Sequence, residues 1–585
     1  MRKFRLPLAF FALTVALTFF AGPANSDEKS APKTAEAARA ARPELTTGKM
    51  DAADWMKAST APLAPGEIDQ LVNAHLAKIG IKPAPLTNDL EFIRRVTLDV
   101  TGHLPTPAEI KEFVKDSAPD RRAKLVDKLL ASDACADHWA AYWREVISSR
   151  TTDFRANVIS RHFEKWMKEQ IKENKSWASI TRDILTATGE MRYDAPDKNG
   201  QAFFLAARTG ADAENERAAE TSRIFLGIQI QCAQCHDHPS DVWKREQFHQ
   251  LAAYFSKLKD RPIREEKKLV GQSLVAVNFG EHQMPGKDGK VDAKKNAKKG
   301  FGFGRRNLAN VVKPKFIDGK SPVSISTDAG RRKALADAIT SKDDPWFAGA
   351  FVNRIWGSMM GQAFYSPIDD LGPEKEATMP DVIARIAGSF RGTDYDVRQL
   401  YRAILTSETY QREIRPGDGS EEHLMFAANN PVRMSSTDLW NSLVATLGEF
   451  KGGPGRFGKG GGGGFGKGGP RGLEGTIKQE FAFDPSTKAE EIEGSVSQAL
   501  ILMNSPQIEQ KIRATGGGIL AQILRSNADN DEALRALYLR VLARRPTDRE
   551  ATLCKQHVRA APTRNEGFED VLWALINSTE FQTKR

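Results

Sequence analysis

The property that most limits what this chain can fold into is the helical spacing of its apolar residues, which runs through most of its length. From Gly66 onward Ile68, Leu71, Val72, His75, Leu76 and Ile79 recur at threes and fours, the interval that gathers side chains on one face of an α-helix. A second stretch, Leu90, Ile93, Val96 and Leu98, stops at Gly102. The next opens at Pro105-Thr106-Pro107-Ala108-Glu109, where Thr106 suits an N-cap, Pro107 the first helical position and Glu109 the return half of a capping box. The same spacing predicts helices around 121–130, 138–147, 158–173, 178–186 and 218–230, and again around 329–340 and 345–359. Short β runs at 268–270, 273–279 and 311–316 interrupt the pattern. The expected fold is therefore mainly α: a helical domain over 66–258, a small β unit with a Lys-rich loop over 259–327, and a second helical domain over 328–585.

The N-terminus points outside the cytoplasm. Met1-Arg2-Lys3-Phe4-Arg5, an apolar stretch from Leu6 to Ala21 and Ala24-Asn25-Ser26 read as a secretory signal peptide over 1–26. The apolar stretch is shorter than the ~20 residues a spanning helix needs, and no second one approaches that length, so no stable membrane span is expected after cleavage. A flexible Ala/Lys/Pro/Thr-rich tether is expected over 27–65. Four cysteines in 585 residues are too few for a disulfide scaffold; Cys135 and Cys554, isolated in sequence, are expected to be buried, inert thiols.

The formal charge of +10 is concentrated in two stretches, Lys287 to Arg306 at +6 and Lys451 to Arg471 at +5, which leaves the rest close to neutral. A nucleic-acid partner is accordingly not expected. Both stretches are Gly-rich or Lys-rich and too poor in apolar residues to fold alone, so they read as surface insertions, the second a Gly-rich one near 451–472. An acidic extracellular polymer is the partner such loops would suit.

The sharpest chemical signal is Cys232-Ala233-Gln234-Cys235-His236-Asp237-His238-Pro239. It contains the CxxCH spacing of c-type haem attachment, in which two cysteines three apart face the same way and the adjacent histidine reaches the iron. With 4 Cys and 10 His among 585 residues, roughly 0.0005 such matches are expected by chance, so coincidence explains it poorly. Three chemistries stay open: haem c on Cys232, Cys235 and His236; a zinc or iron ion on Cys232, Cys235, His236 and His238; or a dithiol cycling to a disulfide. For haem, the second axial ligand would come from among His249, Met284, Met359, Met360 and Met379.

Two short internal similarities stand out. The run 403–411 parallels 574–582, and Pro105-Thr106-Pro107-Ala108-Glu109 parallels Pro546-Thr547-Asp548-Arg549-Glu550. They read as reused helical elements, not as a solenoid.

Taken together, the strings RRVTLDVTGHLPTPAEI from Arg94, QCAQCHDHPSDVW from Gln231, VKPKFIDG from Val312, NRIWGSMMGQAFYSPIDDLG from Asn353 and LYRAILTSETYQ from Leu400 resemble paired domains of unknown function abundant in planctomycete bacteria. The first of that pair is a cytochrome-c-like domain, the second a planctomycete-specific domain. The resemblance implies an exported, redox-linked protein with an unidentified redox partner, and it supplies no reaction. Its signature string falls on Cys232, Cys235, His236, His238 and Pro239, its Asn-Arg-x-Trp string on Asn353, Arg354 and Trp356, and its acidic pair on Asp369 and Asp370. Asn353, Arg354, Asp369 and Asp370 are thus candidates for a second site, or for an interhelical ion pair. Where the family has Ser-His-Pro, this chain has Thr378-Met379-Pro380. The expected function is electron transfer by an exported c-type-haem-like protein; the alternatives are a structural or hydrolytic zinc or iron module, and a surface polymer-binding scaffold.

Overall fold

The computed structural model describes residues 47–151, 154–195, 198–277, 279–285, 310–323, 326–415, 425–450 and 472–584. The expected signal peptide, most of the expected tether and both basic stretches lie outside the described residues. Among the described residues no helix is long and apolar enough to cross a membrane.

Among the described residues the architecture is mainly α, with four small sheets of two or three strands. Local chemistry sets the helix starts: Thr106 and Glu109 close a capping box at Pro107–Lys115, and Thr547 with Glu550 close the parallel one at Asp548–Ala560. Gly102, in the left-handed region, ends Asp89–Thr101. The helices expected around 121–130, 138–147, 158–173 and 178–186 form as Arg121–Leu130, Asp133–Ser148, Phe154–Lys172 and Trp177–Thr186.

Two hydrophobic cores organise these elements. The larger draws on residues from Met50 to Ala427, with Ala543, and the smaller on residues from Met434 to Phe581, with Leu98 and Leu104. Helix Asp89–Thr101 belongs to both, for Phe92, Ile93, Val96 and Val100 enter the first and Leu98 the second. A helix buried on every side must sit between two packing partners. Its adjacent Arg94 and Arg95 reach opposite ways: Arg94 Nη2 donates to Glu580 O at 2.8 Å, and Arg95 Nη1 to Tyr410 O at 2.5 Å. Those carbonyls lie in the two copies of the repeated string, so one helix grips both.

This arrangement corrects the expected organisation at three points. Residues 47–65 are not part of a flexible tether. Thr47–Lys49 pairs antiparallel with Glu376–Thr378, and Trp55, 1 % exposed, packs on Tyr365 and Trp346 with ring centroids 6.2 and 6.3 Å away. The β unit is not separate either: hairpin strands Leu258–Glu265 and Lys268–Ala276 form one sheet with Gly189–Arg192, and Leu258 and Leu274 belong to the larger core. Nor does the core divide at 328, because Asp328–Ile339 packs on Trp177–Thr186 and Phe347–Met360 on the turn Ser222–Leu226. Apolar spacing shows that a helix has a buried face without showing what it faces.

Candidate functional site

The cysteine–histidine turn follows a helix that runs out in stages. Ala213–Thr221 widens into the π-turn Ser222–Leu226 and ends at Gly227, φ 66°. A Cβ on Gly227 would meet Leu371 Cδ1 at 2.9 Å and Ala350 Cβ at 3.1 Å, so glycine allows both the turn and the close approach. The helix expected to reach 230 thus stops earlier. A single 3₁₀ turn, Ile230–Ala233, carries Cys232, and Cys235 lies two residues beyond its end. Ala233 is buried between them, while Cys232, Cys235 and His236 face solvent. All four cysteines are free thiols.

The two histidines of the string differ in their ring nitrogens. His236 Nδ1 lies 2.6 Å from Asp237 O, which accepts only, so Nδ1 carries the proton and Nε2 keeps its lone pair. That is the tautomer of a metal-ligating imidazole with its outer N–H tied to a carbonyl. His238 Nδ1 instead accepts from the Ser240 N–H at 3.2 Å, and the neutral ring then protonates at Nε2. Among the described residues, no group of three or more His, Cys, Asp or Glu side chains is arranged to hold a metal ion. The set Cys232, Cys235, His236 and His238 does not converge.

Behind the turn runs a buried polar chain. Glu214 Oε2 lies 3.0 Å from His282 Nδ1, His282 Nε2 lies 2.9 Å from His249 Nδ1, and His249 Nε2 lies 3.1 Å from Gln234 O, between the two cysteines. Both end groups only accept, so the two rings must share three protons to make all three bonds. Burial and the neighbouring His282 bring His249 down to about 4, which leaves it neutral. Burial alone would raise Glu214, but hydrogen bonds from His282 and Lys259 hold it down at about 2. His249, considered above as an axial ligand, is therefore committed at both nitrogens. Met359, Met360 and Met379 are buried in the larger core. Only half-buried Met284, two residues beyond His282, remains of that group. No sequence signal marks the chain, since Glu214, His249 and His282 are scattered and belong to no motif.

The segment 369–375 clamps the turn from the other side. Asp369 Oδ1 accepts from Gln229 Nε2 at 2.9 Å, Leu371 N donates to Gly227 O at 2.7 Å, and Lys375 Nζ donates to Ser240 Oγ at 3.1 Å. Gly372 lies so close that a Cβ there would sit 1.6 Å from Asp241 Oδ2.

The candidate second site dissolves into this frame. Asp369, 1 % exposed, binds Arg223 Nη1 at 3.0 Å and stands 3.7 Å from Arg354 Nη2. Arg223 in turn makes a two-pronged pair with Glu220, which Arg208 also contacts. Burial would raise Glu220, but Arg208 and Arg223 hold it at about 2. Asp370 points away to Lys375 at 3.1 Å, as adjacent residues on an extended chain do. Asn353 exchanges hydrogen bonds with the Tyr365 backbone and donates to Ile368 O, bracing a loop. The four residues share no common focus: Asp369, in the loop after Phe347–Met360, meets Arg223 and Arg354, while Asp370 and Asn353 have separate partners.

A mainly helical pair of units, joined by buried arginine–carboxylate contacts and carrying an exposed Cys-x-x-Cys-His turn, defines the class. Residues 67–260 match the family described as PSCyt2, a protein of unknown function (DUF1549), and 331–459 match PSD1, a protein of unknown function (DUF1553). The chain carries both of these domains of unknown function, one after the other. No curated protein and no solved structure matches it.

Proposed function

We propose that this is an exported redox protein that holds haem c at the Cys232–His236 turn and passes electrons to a partner outside the cytoplasm. The observation that supports it most is the state of His236, an exposed ring whose Nδ1–H is tied to a carbonyl and whose Nε2 is left to ligate. The Cys232 and Cys235 thiols beside it are free and face solvent. Each can add across a vinyl group, forming one C–S and one C–H bond, with no external oxidant. Haem bound there would supply one-electron chemistry. The protein's own part is to hold the turn still: the 369–375 clamp and the Glu214–His282–His249 chain fix it before any cofactor arrives, which limits reorganisation on electron transfer. The signal-like N-terminus agrees with this reading, since thioether attachment belongs to extracytoplasmic compartments.

The test is to produce the full chain in a host with haem-maturation machinery. A haem-stained band that survives denaturation, with a Soret absorbance lost in the double variant C232A/C235A, is expected. H236A should keep the stain and shift the Soret band. Unstained wild-type protein overturns the proposal, and stoichiometric zinc or iron in that unstained protein would replace it with a metal module.

A further inference from the structure

The two hydrophobic cores leave a cavity of about 130 Å³ between them, and it shares no residue with the cysteine–histidine turn. One face of Asp133–Ser148 forms a wall, because His138, Ala141, Tyr142 and Glu145 are spaced to lie along one side of a helix. The antiparallel pair Val432–Arg433 and Thr583–Lys584 supplies the facing wall, with Val432, Arg433 and Lys584 lining the space. Ala141, Ile368, Phe483 and Ile492 give it an apolar body.

The charges around this space are not evenly matched. Asp438 is answered by Lys584 Nζ at 3.4 Å and His138 Nδ1 at 3.1 Å. Glu145 accepts from Thr437 Oγ1 at 2.8 Å and pairs with Arg144 at 3.2 Å, and burial raises its pKa, which weakens its charge. At the rim Lys488 and Glu490 contribute one charge of each sign. Arg433 differs from all of these. It is half-buried, it donates to Gln498 Oε1 at 3.3 Å, and no carboxylate among the described residues pairs with it. A guanidinium remains charged when desolvated, and such a group is costly unless an anion completes it.

We propose that this cavity binds a small organic acid whose carboxylate meets Arg433 and whose apolar body lies against Ala141, Ile368 and Phe483. The planar guanidinium suits a carboxylate through two parallel hydrogen bonds, and the apolar walls favour a hydrocarbon body over a bare anion. The site is independent of the haem reading, since it uses neither the turn nor the segments that clamp it.

Calorimetric titration of the full chain with butyrate, benzoate and phenylacetate tests this, with benzamide and phenylacetamide as neutral counterparts. At least one acid should bind saturably at one per chain, about tenfold or more tighter than its amide. Arg433→Gln should erase that preference at an unchanged melting temperature, and Ala141→Leu, which fills the apolar end, should weaken acid and amide alike. No saturable binding of any of the three acids overturns the proposal, as does acid binding equally tight in Arg433→Gln and wild type.

Discussion

His249 is held neutral in the folded protein, and that single ring gives the molecule an acid-sensitive step. Burial and His282 lower it from 6.5 to about 4, so the unfolded chain takes up a proton at a pH where the folded chain still refuses it. A depressed folded-state value contributes stability that is present above pH 6.5, lost progressively as pH falls towards 4, and constant below that. The interval corresponds to about 3 kcal/mol. Glu214, lowered from 4.5 to about 2, adds a second loss in the window below. Buried Asp344, pushed up to about 7, gains stability as pH falls and so opposes His249 over much of the window from 6.5 to 4, and the His249 contribution is read as the difference between variant and wild type. His249→Asn should melt lower at pH 7, and its gap to wild type should narrow as pH falls across that window; identical slopes in variant and wild type would remove His249 as the cause. Gly372 offers a second test on the opposite side of the turn. Gly372→Ala drives a Cβ into Asp241, and the displaced loop should cost 1–3 kcal/mol or about that, read as a drop in denaturant midpoint and faster alkylation of Cys232 and Cys235.

Helices were legible here and their partners were not, for a physical reason visible in particular elements. Periodicity and capping act within one turn of backbone, so Thr106 and Glu109 announced a helix start that formed as expected. Gly227 and the π-turn before it depend on Leu371 and Ala350, distant residues that no local pattern reveals. The Cys-x-x-Cys-His string was readable because its chemistry is local, whereas the Glu214–His282–His249 chain behind it exists only once three separate elements meet. The segment 47–65 shows the same limit from the other side. Its Ala, Lys, Pro and Thr content reads as a linker, yet Met50 and above all Trp55 enter the core. Gly349 leaves the space, for a Cβ there would fall 2.6 Å from the Trp55 ring. Trp55→Ala should then cost 3–5 kcal/mol or about that, measured by chemical denaturation. A loss under about 0.5 kcal/mol, ordinary for an exposed linker residue, would restore the tether reading.

Across the whole molecule, a buried ionic cluster reinforces the apolar helix that the two cores share. Lys584, at the C-terminal strand, lies with its ammonium 3.5 Å from Asp99 Oδ1 and 3.4 Å from Asp438 Oδ2. Asp99 sits on the helix both cores share, and Asp438 on Ser436–Leu447 of the smaller one. Both carboxylates are 3 % exposed or less. Burial alone would raise Asp438, but Lys584 and then His138 keep it ionised at about 2. Tyr410 Oη also donates to Asp99 at 2.7 Å, which carries the same cluster into the larger core. Lys584→Met would keep the side-chain length and leave two buried carboxylates without their shared cation. Removing one member of a buried ion cluster typically costs about 3–5 kcal/mol, because the remaining charge stays desolvated. The loss falls at the junction, not inside either core, so it should reduce coupling more than it melts each unit. Calorimetry of Lys584→Met should show a lower-melting transition of the 434–581 core separating from the main one. Adding Asp438→Asn, which removes one stranded charge, should recover part of the loss. A single transition at the wild-type temperature would mean that the apolar contacts of helix Asp89–Thr101 hold the halves together unaided.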